Sequence, residues 1–171
     1  MKFTKMQGAG NDFIVINNIE EKLPQAQFAA LARRLCTRRM SIGADGMIIV
    51  DAPQNGGDYR MYFYNADGSL GEMCGNGARC FAVYVRHLGL TDKTEIACET
   101  MKGIIRPRVE ADGRVTVDMG EPAFGPEAVH FKSEGHSHLT RDKDTLWQVK
   151  TPEGDVWLSL VSMGNPHAVM V

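Results

Sequence analysis

Short apolar runs separated by glycine-rich and polar breaks dominate the chain, a spacing that predicts strands more often than helices. Residues 3–6 form a short strand candidate, residues 7–12 a loop and residues 13–16, Phe-Ile-Val-Ile, a buried strand. Two stretches carry helical spacing instead. Phe28, Leu31, Ala32 and Leu35 share one face of a helix expected from Pro24, at its first position, to about Arg38. Ala78, Phe81, Ala82, Val85 and Leu88 form a second stripe, and Cys80, Val83 and Tyr84 are apolar on the other side. Residues 78–88 therefore predict a helix buried nearly all round, with Gly89 as its stop. Further strands are expected at 47–50, 59–64, 94–100, 103–110 and 114–119. The pattern is that of an α/β (α+β) fold, a mixed or antiparallel sheet wrapped around one central helix.

Residues 120–126, with two prolines and two glycines, read as a boundary. This gives a first domain at 1–119 and the beginning of a second at 120–171. In the second, strands are expected at 129–131, 145–150 and 156–161, and a polar loop at 133–144. Residues 167–171 keep a strand pattern up to the last residue, so the sequence reads as a piece of a longer chain. Gly10-Asn11-Asp12-Phe13-Ile14-Val15 resembles Gly164-Asn165-Pro166-His167-Ala168-Val169, as expected of two similar halves. Cys74 follows Asn11 by 63 residues. The same offset from Asn165 falls at roughly residue 228, past Val171.

Composition removes several function classes. Formal net charge is −2, which leaves no global basic excess for a nucleic-acid backbone. Arg33, Arg34, Arg38 and Arg39 read as the solvated side of a helix end. No apolar run reaches membrane-span length and no signal-peptide core follows Met1, so a cytoplasmic protein without membrane partners is expected. The four cysteines, Cys36, Cys74, Cys80 and Cys98, are then free thiols, and none has the C-x-x-C spacing of a zinc knuckle or redox pair. Gly8-Ala9-Gly10 lacks the third glycine of a dinucleotide fingerprint, and no Gly-Lys-Ser/Thr follows Gly75-Asn76-Gly77. His136 and His138 read as surface residues of a polar loop, not as metal ligands.

The chemistry-bearing stretch is Asn65-Ala66-Asp67-Gly68-Ser69 followed by Cys74-Gly75-Asn76-Gly77-Ala78-Arg79-Cys80. Cys74 stands where a helix begins, and unpaired N–H groups with a partial positive charge favour an anion there. Gly75 and Gly77 allow close approach to the backbone, so the first amides can hold a carboxylate beside the thiol. A thiolate base next to such donors suits removal of a proton α to a carboxylate. From residue types alone a second reading stands slightly ahead: Cys74 as a small buried residue at a tight turn, with glycines present only for turning. Cys36, Cys80 and Cys98 read as structural.

These segments, with residues 5–13 and Met163-Gly164-Asn165-Pro166-His167, resemble the diaminopimelate epimerase family, in the family's order and across the whole chain. The resemblance implies two pseudo-symmetric domains, the second incomplete here, with the active site between them. It implies cofactor-independent interconversion of LL- and meso-diaminopimelate, for lysine and peptidoglycan precursors, by a homodimer acting on a small molecule. It makes Cys74 the first catalytic cysteine and His167 a histidine that tunes the thiols. It makes Asn11, Asn65, Asn165, Gly75 and Asn76 substrate-binding. Gly46 stands where some members carry a substrate-contacting glutamine. The family's second cysteine lies beyond Val171, so the chain alone is expected not to epimerise. Rival readings are a sister enzyme, proline racemase-like or phenazine-type, a non-catalytic binding module, and, last, a redox sensor.

Overall fold

The computed structural model describes residues 1–142 and 144–171, which divide into two compact units, Met1–Asp118 and Met119–Val171. The first unit begins with β1 (Thr4–Gly8), β2 (Asn11–Asn17), α1 (Asn18–Glu21), α2 (Phe28–Cys36), β3 (Gly46–Asp51) and β4 (Tyr59–Asn65). It continues with β5 (Leu70–Gly71), α3 (Gly75–His87), β6 (Cys98–Thr100), β7 (Gly103–Ile105), β8 (Arg108–Val109) and β9 (Val115–Thr116). The main sheet runs β1-β2-β3-β4-β6-β7, with β5 beside β4; β2 and β3 are parallel, as are β4 and β6, and the other pairs are antiparallel. The mixed sheet of the sequence reading is thus present.

Both faces of its central strands are covered, which is why these strands read as unbroken apolar runs. Strand periodicity sends Phe13, Val15, Ile48, Val50 and Met61 to the face where Phe81, Ala82 and Val85 of α3 pack. The alternate residues Ile14, Ile16, Met47, Ile49, Tyr62 and Tyr64 meet Phe28, Ala32 and Leu35 of α2. The expected central helix is α3, but a second helix shields the reverse of the sheet. α3 is also less enclosed than its composition implied, because Val83 and Leu88 are exposed.

Several boundaries move, for local reasons. The helix expected from Pro24 to Arg38 begins only at Phe28. Pro24 is extended (ψ 133°) and leads into a 3-10 turn, Gln25–Gln27, and Thr37 (ψ 110°) ends the helix. Arg38 is therefore off the helix and, though exposed, pairs with Asp12 and Asp45. The loop expected at 7–12 is mostly strand, closed by a two-residue turn at Ala9 (φ 49°) and Gly10 (φ 95°). The strand expected at 103–110 splits at Arg106-Pro107, since proline has no N–H for the ladder. Of residues 94–100 only β6 is regular strand, and Glu95 makes an isolated bridge to Arg108.

The second unit is an antiparallel sheet of β10 (Ala123–Phe124), β11 (His138–Arg141), β12 (Asp144–Thr151), β13 (Gly154–Ser162) and β14 (Pro166–Met170), in the order β10-β13-β12-β11 with β14 beside β13. The strand expected at 129–131 is replaced by a 3-10 turn, Glu127–Val129, ended by His130 in the left-handed region. Part of the expected loop at 133–144 is β11, where His138 pairs with Trp147 and their rings lie 5.0 Å apart.

Candidate functional site

The parallel pair β2–β3 starts, and the antiparallel β4 ends, at one edge of the first sheet, where Phe13 pairs with Gly46 and Gly46 with Asn65. Topology alone therefore gathers Asn11, Asp45 and Asn65 at that edge. The first turn of α3 is fitted to it at close range. A Cβ on Gly8 would lie 2.8 Å from the backbone oxygen of Asn76 and 3.1 Å from the Cys80 Sγ, so only glycine lets β1 approach α3 this closely.

Cys74 is the N-cap of α3. Its backbone is extended (φ −136°, ψ 113°), its carbonyl accepts from Ala78 N at 2.7 Å, and its Sγ accepts from Gly77 N at 3.4 Å. A thiol takes the place that serine or aspartate usually fills, facing the positive end of the helix. The N–H groups of Gly75 and Asn76 have no partner among the described residues, and both residues are half-buried. They are the free donors expected at a helix start. Cys74 is half-buried too, whereas Cys36, Cys80 and Cys98 are buried. Burial pushes the Cys80 thiol up to about 11 and raises those of Cys36 and Cys98. These three are core thiols held protonated at neutral pH, as the sequence reading had them.

A line of hydrogen bonds runs from α3 across the sheet edge. Arg79 Nη1 donates to Asn76 Oδ1 at 2.6 Å, Asn76 Nδ2 to Asn11 Oδ1 at 2.9 Å, and Asn11 Nδ2 to Asp45 Oδ2 at 3.0 Å. Arg38 closes the line by donating to Asp45 Oδ1 at 2.8 Å and to both oxygens of Asp12. The Arg38 hydrogen bond is the first reason, with Lys5 beside it, that the Asp12 carboxyl sits well below the usual carboxylate range, against a smaller opposing effect of burial. The Asp45 carboxyl is also lowered, chiefly by the Asn11 amide and then by Arg38.

Of the sequence-predicted residues, Cys74, Gly75, Asn76 and Asn11 are thus brought together. Asn65 lies at the same sheet edge, but its Nδ2 donates to Ser69 Oγ at 2.9 Å and its backbone N–H to Ser69 O, closing its own turn. Asn165 and His167 belong to the second unit, where they meet each other with His167 Nε2 3.2 Å from Asn165 Oδ1. At Gly46 a Cβ would sit 2.6 Å from the Phe63 ring and 2.8 Å from Tyr64 O, so the ring takes the space that a glutamine there would need. Sequence reasoning missed Asp45, Arg38 and the bond of Arg79 to Asn76. The neighbours Asn11 and Asp12 were a signal, since two adjacent polar side chains at a strand start ask for partners. The position of those partners was not readable.

Among the described residues no group of three or more His, Cys, Asp or Glu could hold a metal ion, and no helix is long and apolar enough to cross a membrane. The family model of diaminopimelate epimerase matches residues 3–125, which include the whole Cys74 site. The chain belongs to the diaminopimelate epimerase family. Its full length is 49% identical to the diaminopimelate epimerase of Herminiimonas arsenicoxydans, of which it covers 60%, and 44% identical to that of Burkholderia ambifaria, of which it covers 59%. The chain thus spans about three fifths of the length of these curated relatives. Two solved structures share the fold. A phenazine biosynthesis protein of the PhzF family from Bacillus anthracis gives a TM-score of 0.64 at 16% identity, over 98% of this chain and 53% of that one. A probable proline racemase from Agrobacterium radiobacter K84 gives 0.61 at 15%, over 98% and 51%. Within the diaminopimelate epimerase family, then, the Cys74 turn is built on a fold shared with more distant isomerases and phenazine proteins.

Proposed function

We propose that this chain supplies one proton-transfer face of an enzyme that converts LL-diaminopimelate to meso-diaminopimelate without a cofactor. The observation that carries this is the half-buried Cys74 Sγ at the start of α3, next to the unpartnered N–H groups of Gly75 and Asn76. The carboxylate of the amino acid takes those two amides, where the helix favours negative charge. The Cys74 thiolate then removes the α-proton, forming an S–H bond as the C–H bond breaks. The electron pair moves into the carboxylate, and the same amides stabilise the extra charge. Asn11 and Asn76 hold polar groups of the substrate, Asn65 and Asn165 are read as further substrate-binding residues, and His167 as a histidine that tunes the thiols.

Inversion needs a proton from the opposite face. The other three thiols of this chain are buried, so none of them is read as the partner acid. Unaided, the chain is expected to return a proton only to the side from which it came and to make no meso product. Family membership supports reading the whole protein as a homodimer with a role in lysine biosynthesis.

Deuterium uptake at the α-carbon of diaminopimelate in heavy water tests the reading. In the full-length protein Cys74→Ala is expected to lower uptake by about 10²–10⁴-fold, the usual range for a positioned acid–base group. Uptake by the variant at the wild-type rate, or equal uptake into proline, would remove Cys74 or the substrate assignment respectively.

A further inference from the structure

The line Arg79–Asn76–Asn11–Asp45 has a property that its single bonds do not show. An asparagine amide can face a neighbour with its oxygen or its nitrogen, and the choice depends on what the neighbour can do. Here two asparagines stand in series between a guanidinium, which only donates, and a carboxylate, which only accepts. Those ends leave one consistent orientation for both amides. Asn76 must turn its oxygen to Arg79 and its nitrogen to Asn11, and Asn11 must then turn its oxygen to Asn76 and its nitrogen to Asp45. Each amide nitrogen keeps one N–H beyond this line.

We propose that Asp45 is a positioning residue: its carboxylate, held between Asn11 Nδ2 and Arg38 Nη2, fixes which way the Asn11 and Asn76 amides face and so which of their groups meet the substrate. Asp45 makes no contact with the reacting atoms in this scheme. It is itself fixed, because Asp12 N donates to its Oδ2 at 3.2 Å and its own N–H is within 3.0 Å of both Asp12 Oδ1 and Asp12 O. Asp45 is exposed, so a general role in holding the core does not explain these bonds. The consequence for the ligand rests on the function proposed above. The consequence for the amides does not.

Replacing Asp45 by asparagine keeps the shape and removes the acceptor-only end. The new amide has one oxygen for two donors, Asn11 Nδ2 and Arg38 Nη2, so the line keeps a fixed direction only at its Arg79 end. In the ¹⁵N-labelled chain, Asp45→Asn is expected to shift the side-chain NH₂ resonances of both Asn11 and Asn76, although Asn76 does not touch residue 45. Arg38→Gln serves as the control. It takes a partner from Asp45 but leaves the carboxylate on Asn11, so it should lower Tm while both NH₂ pairs stay in place. In the full-length protein, Asp45→Asn should also weaken the protection of Cys74 from alkylation by diaminopimelate by about tenfold, the scale of one charge-assisted hydrogen bond. Unmoved NH₂ resonances in Asp45→Asn, or equal shifts in Arg38→Gln, would overturn the proposal. Shifted resonances in a protein whose wild-type Cys74 gains no protection would leave the orientation role standing and remove the functional reading.

Discussion

The two Gly-Asn turns share a glycine in the left-handed region and differ in almost everything around it. Gly10 (φ 95°) and Gly164 (φ 94°) each sit in the turn of an antiparallel hairpin, β1–β2 and β13–β14. In the first, the Asn11 amide is engaged at both ends, by Asp45 and Asn76, and β2 is buried from Phe13 to Asn17. In the second, Asn165 meets His167, and β14 is exposed along its whole length. The comparison teaches that the repeated sequence marks where the chain reverses, whereas side-chain order comes from what packs over the turn. For the first hairpin that is α3. Everything that makes Cys74 a candidate base depends on this helix being held against the sheet.

The largest expected effect comes from loosening that support. Phe81 is fully buried between α3 and the sheet. Phe81→Ala should destabilise the first unit by about 3–5 kcal/mol, through lost burial and an unfilled cavity. Urea unfolding measures the loss. Hydrogen exchange localises it, with β1–β2 amides exchanging faster and β13–β14 amides unchanged. Equal acceleration in both hairpins would mean that their stabilities are not separate, and the comparison would fail.

A subtler change acts on the contact itself. Gly8 pairs with Asn11 across the first hairpin, and Ser162 pairs with Pro166 across the second. Gly8→Ala forces a methyl against the Asn76 carbonyl, which belongs to a helix backbone that cannot easily give way. A cost of about 1–3 kcal/mol is expected, as for other overpacked positions. Because the clash falls at the first turn of α3, the rate of Cys74 alkylation should change with it. Ser162→Ala, at the matching place, should stay within about 0.5 kcal/mol and leave that rate alone. An alkylation rate in Gly8→Ala equal to wild type would show that the hairpin does not set the position of Cys74.

What the sequence disclosed follows the same division. The apolar alternation of residues 13–16 and 47–50 located β2 and β3, and the stripe at Ala78, Phe81, Ala82 and Val85 located α3, since burial on a regular element leaves a period. Cys74 at a helix start followed from two glycines beside that stripe. Expectations failed where a single local bond or ring decided the outcome. Pro24 and Thr37 shortened α2, Pro107 cut a strand, and His130 ended a 3-10 turn where a strand was expected. The line through Asp45 was not legible, because it joins residues far apart in the chain whose meeting depends on the parallel pairing of β2 with β3. Nor did composition reveal that Phe63 fills the space beside Gly46.

Acid offers the gentlest way to separate the two hairpins, and the sign follows from the carboxylates. Asp12 and Asp45 are both lowered, by Arg38 first in one case and by Asn11 first in the other. A carboxyl whose folded value lies below its unfolded value stabilises the fold when ionised. That contribution is complete above about pH 5 and is withdrawn as the pH falls below about 4, toward the folded values. Protonation of Asp45 would also give Asn11 a partner that can donate, leaving Arg79 as the one fixed end of the amide line. In the first unit Asp58, Asp67, Glu99 and Glu110 are lowered as well, so global unfolding alone would not isolate the hairpin. The local measurement is the NH₂ resonances of Asn11 and Asn165 followed from pH 6 downward. Asn11 should move below about pH 4, before the first unit unfolds, while Asn165, whose side chain bonds to no carboxylate among the described residues, should not. Asp12→Asn should shift the Asn11 step without abolishing it, because the Asp45 carboxylate remains. An Asn11 signal that moves only together with unfolding would mean that the carboxylates serve the fold as a whole and not the turn beside Cys74.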